Sequence, residues 1–276
     1  MAALWCWPAR YVSLMPTNKS LGQHWLRDRT VLAQIAHYAQ LSRDDTVLEV
    51  GPGLGTLTSE LLRQAGSVTA VEFDEALATK LPGQFPGTHL TVVHQDILQF
   101  DLSSLPAGYK VVANVPYYIT SKIVQRLLAA ENKPSIAVLL VQKEVAERLA
   151  AEPGQMSLLA LSAQLYAEVS LGEVVPAELF TPPPKVDSQT VVLRLRDQPL
   201  VLGDEQRALF RLARMAFAGK RKKLRTSLAS GLRLDKQQVE QLLERADISP
   251  DSRPQDLSID DWRRLTTALA DISDTI

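Results

Sequence analysis

The stretch KVVANVPYYIT, residues 110–120, ends an apolar run in an amide, a proline and two aromatic rings. A turn can use Asn114 and Pro116, but it has no need of two tyrosines. Chemistry supplies a reason. An exocyclic amine on a nucleobase is a poor nucleophile, because its lone pair is delocalised into the ring. Two acceptors that hold its N–H groups turn the lone pair towards an electrophile. The Asn114 side-chain oxygen and a backbone carbonyl near Pro116 can be those acceptors, with the proline fixing the local φ. Tyr117 offers a flat face on which a base can stack. No strong general base is required, since the proton leaves easily once the nitrogen is cationic. Catalysis then rests on orientation and electrostatics.

A second set of residues reads as a nucleotide-like cofactor site. In LEVGPGLGTLT (48–58), Gly51, Gly53 and Gly55 sit between a strand pattern and a helix pattern. Glycine lets the backbone turn tightly and approach a ligand. Glu72 ends the next apolar run, where a carboxylate can accept two hydrogen bonds from ribose hydroxyls. Asp96 ends the third, where it can accept from an adenine amine. A glycine turn followed by two acidic strand ends fits an adenosine. NAD and S-adenosylmethionine both carry one. The spacing is G-x-G-x-G, without the third glycine of a pyrophosphate turn, and acidic side chains suit a sulfonium cation. Both points favour S-adenosylmethionine. Glu49 is a weaker candidate, for the amino group of its methionine half.

Elements must hold these residues together. Short Val-rich runs recur at 46–51, 67–73, 90–96, 110–115, 136–142, 172–176 and 190–196. Several are continuous rather than alternating, as in strands buried on both faces. Helical patterns lie between them, with Leu54, Leu57, Leu61 and Leu62 on one face of 54–65, and a similar pattern over 121–130. The alternation predicts a doubly wound α/β sheet. After residue 197 no strand-like run remains, and helices are expected over 204–218, 221–230, 235–246 and 258–271, the last started by Ser258 with Asp261. The chain of 276 residues therefore divides into an extension over 1–18, an α/β domain over 19–199 and a helical domain over 200–276. Residues 1–14, ahead of Met15, read as a dispensable arm or an upstream start.

Composition is that of an ordinary globular protein, 46% hydrophobic and 22% charged, with a net charge of −1. No whole-protein field points to nucleic acid, so a basic surface must come from segregated charge. One cysteine, Cys6, excludes an intramolecular disulfide and fits a reducing, cytoplasmic compartment. Four scattered histidines make no metal-ligand spacing, and no metal is expected. No run approaches the roughly 20 apolar residues of a membrane span, so no membrane partner is expected.

Taken in order, these motifs resemble the ribosomal RNA small-subunit adenine dimethyltransferase family. KSLGQHWL (19–26) is similar to its N-terminal motif, K-x-x-G-Q-N/H-F-L. LEVGPGLGTLT, VEFD, QDIL and NVPYYIT resemble its cofactor and catalytic motifs. LFTPPPKVDS (179–188) resembles F-x-P-x-P-x-V-x-S, and FAGKRKKLRTSL (217–228) its basic helix. The resemblance implies a class I S-adenosylmethionine-dependent methyltransferase, a Rossmann-like sheet with a small helical C-terminal domain. It implies transfer of four methyls to the N6 atoms of two adjacent adenosines near the RNA 3′ end, on the 30S precursor; a monomer is expected, though the sequence does not give the oligomeric state. His24, Leu26, Gly51, Glu72, Asp96 and Asn114 fall on cofactor positions, and Asn114, Pro116, Tyr117 and Phe180 on catalytic ones, with Phe180 facing Tyr117 across the base. Trp25 stands where Phe is usual and Val115 where Leu is usual, and both keep apolar bulk.

The window 207–225 holds Arg207, Arg211, Arg214, Lys220, Arg221, Lys222, Lys223 and Arg225 and no acid. Arg207, Arg211 and Arg214 share one helical face. Beside a base-methylating site this charge reads as a phosphate-contacting surface, with Lys220, Arg221, Lys222, Lys223 and Arg225 as the RNA-binding set. The intact glycines, acids and NVPY argue against a non-catalytic assembly factor. NVPY alone leaves open DNA adenine, large-subunit RNA or a protein glutamine as acceptor. The N-terminal motif, FTPPPKVDS and the basic tail favour small-subunit RNA.

Overall fold

The computed structural model describes residues 23–219 and 222–273. The expected extension, Cys6, the motif residues from Lys19 to Gly22, and the basic residues Lys220 and Arg221 lie outside the described residues.

A short strand β1 (Trp25–Leu26) precedes helix α1 (Arg29–Tyr38). Then come β2 (Thr46–Val50), α2 (Thr56–Gln64), β3 (Ser67–Glu72), α3 (Glu75–Lys80) and β4 (Leu90–His94). The next elements are β5 (Lys110–Asn114), α4 (Thr120–Ala129), β6 (Ile136–Gln142), α5 (Lys143–Leu149) and α6 (Leu158–Tyr166). Strands β7 (Ala167–Val175), β8 (Phe180–Thr181) and β9 (Ser188–Leu195) follow, then helices α7 (Gly203–Phe217), α8 (Leu224–Leu232), α9 (Lys236–Arg245) and α10 (Ile259–Ser273).

Seven strands form one sheet in the order β4-β3-β2-β5-β6-β9-β7. The first five are parallel, and β9 enters antiparallel between β6 and β7. Alternate residues enter different cores. Val47, Val112, Val138 and Leu140 meet Leu32 and Ile35 of α1 and Leu57 and Leu61 of α2. Leu48, Val111, Leu139 and Val141 meet Ile123 and Leu127 of α4 and Leu149 of α5. Burial on both faces is why these strands read as unbroken apolar runs. β1 and β8 pair in a separate two-stranded sheet, Trp25 opposite Thr181 and Leu26 opposite Phe180. This ties the N-terminal motif to the FTPPPKVDS segment.

The helices α7 to α10 pack around their own apolar core, with Trp262 fully buried. Helix α6 belongs to both regions. Its Ala163 enters the sheet core, while Ala160, Leu161 and Leu165 enter the helical one. Ser258 starts α10 as expected: its N–H donates to Asp261 Oδ2 at 2.7 Å, and its Oγ accepts from the Asp261 N–H at 3.1 Å. Among the described residues no helix is long and apolar enough to cross a membrane.

Candidate active site

In this strand order, β3 and β4 lie to one side of β2, and β5 and β6 to the other. The carboxyl ends of β2 and β5 therefore flank the point where connections diverge, the usual place for a ligand. A cleft of about 820 Å³, including solvent at its mouth, opens there. Gln23 to Leu26, Glu49, the glycine loop, Glu72 and Asn114 to Tyr118 line it.

Gly51, Gly53 and Gly55 all have positive φ, at 67°, 56° and 79°. A Cβ at Gly53 would lie 2.3 Å from Trp25 Cζ3, so the indole rests directly on the loop. A Cβ at Gly51 would meet only the Pro116 ring, Cδ at 3.8 Å and Cγ at 4.0 Å. The loop after β2 and the NVPY loop after β5 are thus neighbours.

Two acids face this loop. Glu72 is 6% exposed; its Oε2 accepts from the Gly53 N–H at 3.0 Å and its Oε1 from the Asp74 N–H at 2.9 Å. Burial pushes its pKa up, against the lowering effect of the backbone N–H groups of Asp74 and Gly53. Glu49 is 1% exposed, and its Oε2 has no hydrogen-bond partner. Burial, helped by the negative charge of Glu72, raises its pKa to about 8. A buried carboxylate with an unpaired oxygen, lining a cleft, fits a cationic group such as the ammonium or sulfonium of S-adenosylmethionine. Asp96, at the end of the next apolar run, is not brought into the lining; its Oδ1 accepts from the Leu98 N–H at 2.9 Å.

At the end of β5, Asn114 Nδ2 donates to the His24 carbonyl at 3.5 Å, a long bond. This arrangement leaves Oδ1 as the atom able to accept from an amine. The Pro116 φ is −57°, as its ring demands. The Pro116 carbonyl already accepts from the Ile119 N–H at 3.2 Å and the Thr120 hydroxyl at 3.3 Å. It is therefore not the free acceptor near Pro116, and the preceding carbonyl, of cleft-lining Val115, takes its place as candidate.

The ring facing Tyr117 is that of His24, with centroids 5.9 Å apart and an interplanar angle of 23°. The family resemblance puts Phe180 across the target base from Tyr117. Phe180 is 2% exposed and packs in the core with Leu26, Leu32 and Val175. Its register opposite Leu26 in the β1–β8 pair carries it inward. His24 Nδ1 donates to the Pro182 carbonyl at 2.7 Å, and the Tyr117 hydroxyl shares a 2.7 Å hydrogen bond with Ser188 Oγ. Ser188 stands in the quoted FTPPPKVDS motif, but nothing in the spacing marks its partner.

Of the basic residues, Arg207, Arg211, Arg214, Lys222 and Lys223 are exposed. Arg207 pairs with Asp204, Lys223 with Asp251 at 2.7 Å, and Arg225 with Glu240 at 2.9 Å and Asp251 at 3.5 Å. Lys223 and Arg225 thus tie α8 to its neighbours.

A parallel sheet with an antiparallel strand inserted near its edge, a glycine loop after its first strand and acids at the strand ends define a class I methyltransferase, which uses S-adenosylmethionine. The chain belongs to the ribosomal RNA adenine dimethylase family, whose model matches residues 15–271. It is 44% identical over 252 residues to a ribosomal RNA small subunit methyltransferase A of Dehalococcoides mccartyi, covering 90% of this chain and 87% of that one. It is 38% identical to one of Clostridium botulinum, over 92% of this chain and 94% of that one. Among solved structures, the 23S rRNA methyltransferase ErmE is 33% identical with a TM-score of 0.75, over 89% and 99% of the two chains. A dimethyladenosine transferase from Plasmodium falciparum has a TM-score of 0.77 at 26% identity, over 91% and 98%.

Proposed function

We propose that this chain dimethylates the N6 atoms of two adjacent adenosines near the 3′ end of small-subunit ribosomal RNA, on the 30S precursor, during ribosome assembly. The observation that carries this reading is the juxtaposition of Asn114, Pro116 and Tyr117 with the glycine loop at Gly51. The cofactor supplies an electrophilic methyl group. Gly51, Glu72, Glu49, His24 and Leu26, which line the cleft, would hold it, and Asp96 would serve its adenine from outside the lining. Asn114 Oδ1 and the Val115 carbonyl accept the two N–H groups of the adenine amine and aim its lone pair. Tyr117 carries the face of the base. Trp25 and the β1–β8 pair cover the loop and keep water out. The proton leaves the cationic nitrogen without a dedicated base, so orientation supplies most of the acceleration.

In this reading the α/β domain of residues 19–199 holds the chemistry and the helical domain of 200–276 holds RNA phosphates, through Lys222 and the exposed face of α7, with Lys220 and Arg221, next to Lys222 in the sequence, adding to the charge. The enzyme works as a cytoplasmic monomer. Methylation of large-subunit RNA is the second reading, favoured by the likeness to ErmE. The higher identity to small-subunit enzymes, at 44% and 38%, weighs against it. Incubation with labelled S-adenosylmethionine and unmethylated small subunits, large subunits, duplex DNA or protein decides. Label in small-subunit RNA as N6-dimethyladenosine is the expected result; label only in another acceptor overturns it.

A further inference from the structure

The proposed role of Tyr117 raises a mechanical question. Its Cα lies in a short turn beyond the last residue of β5, outside the sheet ladder. A ring on such a turn can rock about its side-chain torsions, and a base stacked on it would rock too. In-line transfer tolerates little of this, since misplacement by about 1 Å can cost 10²-fold.

The far end of the ring is anchored. The Tyr117 hydroxyl shares a 2.7 Å hydrogen bond with Ser188 Oγ. Ser188 is 0% exposed and begins β9, with its backbone paired to Gln142 on one side and Val175 on the other. It is therefore a fixed point of the sheet. Burial raises the Tyr117 pKa, with Ser188 lowering and Asp187 raising it to lesser degrees, so the phenol keeps its proton at neutral pH. The same segment holds the opposite ring, because the Pro182 carbonyl accepts from His24 Nδ1 at 2.7 Å. Both rings of the 5.9 Å stack are thus tied to residues of the 182–188 segment.

We propose that Ser188 is a positioning residue for methyl transfer, fixing the plane of Tyr117 and hence the height at which the acceptor base presents its amine. This rests on the proposed reading of Tyr117 as the base-carrying ring. Ser188 acts through one hydrogen bond, so its removal should act on the transfer rate and leave cofactor affinity unchanged.

A double-mutant cycle with Ser188→Ala and Tyr117→Phe tests it, because each substitution deletes the same bond. In single-turnover methylation at saturating small subunits and cofactor, each single variant should be about 3- to 10-fold slower, the value of one neutral hydrogen bond. The double variant should be no slower than the slower single one. Multiplied losses in the double variant, or full-rate singles, overturn the proposal. A second readout needs no RNA. In protein labelled at tyrosine Cζ with ¹³C, the Tyr117 signal should move in Ser188→Ala. An unmoved signal removes the anchor whatever the substrate is. A moved signal in a protein inert towards small subunits keeps the anchor and sinks only the choice of RNA.

Discussion

Glu49→Gln isolates the cost of burying an acid at the cofactor loop. The ordinary pKa of this group is near 4.5 and burial raises it to about 8. Between those values the folded chain holds a proton that the unfolded chain has released. Stability therefore falls as pH rises through this window, by about 1.4 kcal/mol per pH unit, to a ceiling of about 5 kcal/mol. Gln is nearly isosteric and cannot ionise, so the variant lacks this slope. For a chain of this size, 1 kcal/mol corresponds to about 2–4 °C in Tm. Thermal unfolding of the cofactor-free protein should show wild type and variant within about 2 °C at pH 5. At pH 8.5 the variant should unfold about 5–10 °C higher, corresponding to half of the ceiling. S-adenosylmethionine reverses the preference, because a bound cation needs the ionised acid. Its binding should release a proton at pH 7, seen as heat that depends on the buffer in wild type and not in Glu49→Gln. Parallel pH–Tm curves for the two proteins would refute the assignment of a buried, unpaired carboxylate.

Asn114→Ala removes the oxygen proposed to aim the amine, and should slow single-turnover transfer by about 10²-fold with RNA affinity nearly unchanged. Tyr117→Ala should also weaken base placement, by about 1–3 kcal/mol in a binding titration with a stacking reporter base. Gly53→Ala meets Trp25 Cζ3 at 2.3 Å and a φ of 56°, and should lower stability by about 1–3 kcal/mol in denaturant melts. Adding Trp25→Leu should return the steric part only. Replacing Arg211, Arg214 and Lys222 with Gln should weaken RNA binding and flatten its log–log salt slope by about 2–3. Arg225→Gln should instead lower Tm, through lost pairing with Glu240 and Asp251.

The parallel strands were legible because two-sided burial leaves an unbroken apolar run. The expected 46–51, 67–73, 90–96, 110–115 and 136–142 fall on β2 to β6 within two residues. Strand β7 was expected only over 172–176, but it runs from Ala167 to Val175. It is a half-exposed edge strand that follows α6 without a break and carries a bulge between Leu171 and Val174, so its pattern carries little period. The glycine loop, Glu49 and Glu72 could be read to one cleft because backbone and charge requirements are local, whereas Asp96, read by the same rule, lies outside the lining. Phe180 and His24 could not be sorted, because their facing depends on a two-residue strand pair closed across most of the domain, and Ser188 could not because its place is set by pairing with Gln142 and Val175 in the main sheet. Lys223 and Arg225 read as free charge, since their partners Glu240 and Asp251 lie far along the chain.

That same strand pair sets an order of events during synthesis. His24 and Pro182, which bond across it, are 158 residues apart in the chain. At about 5–20 residues per second, a nascent chain waits on the order of ten seconds or more between making the two. The glycine loop and the NVPY turn are both complete long before that. Until β8 leaves the exit tunnel, Trp25 and His24 have no strand to dock on, and the cleft stands without its N-terminal wall. The N-terminal wall of the cleft, made by Trp25 and Leu26 of β1, is therefore fixed by its strand partner only when most of the α/β fold already exists.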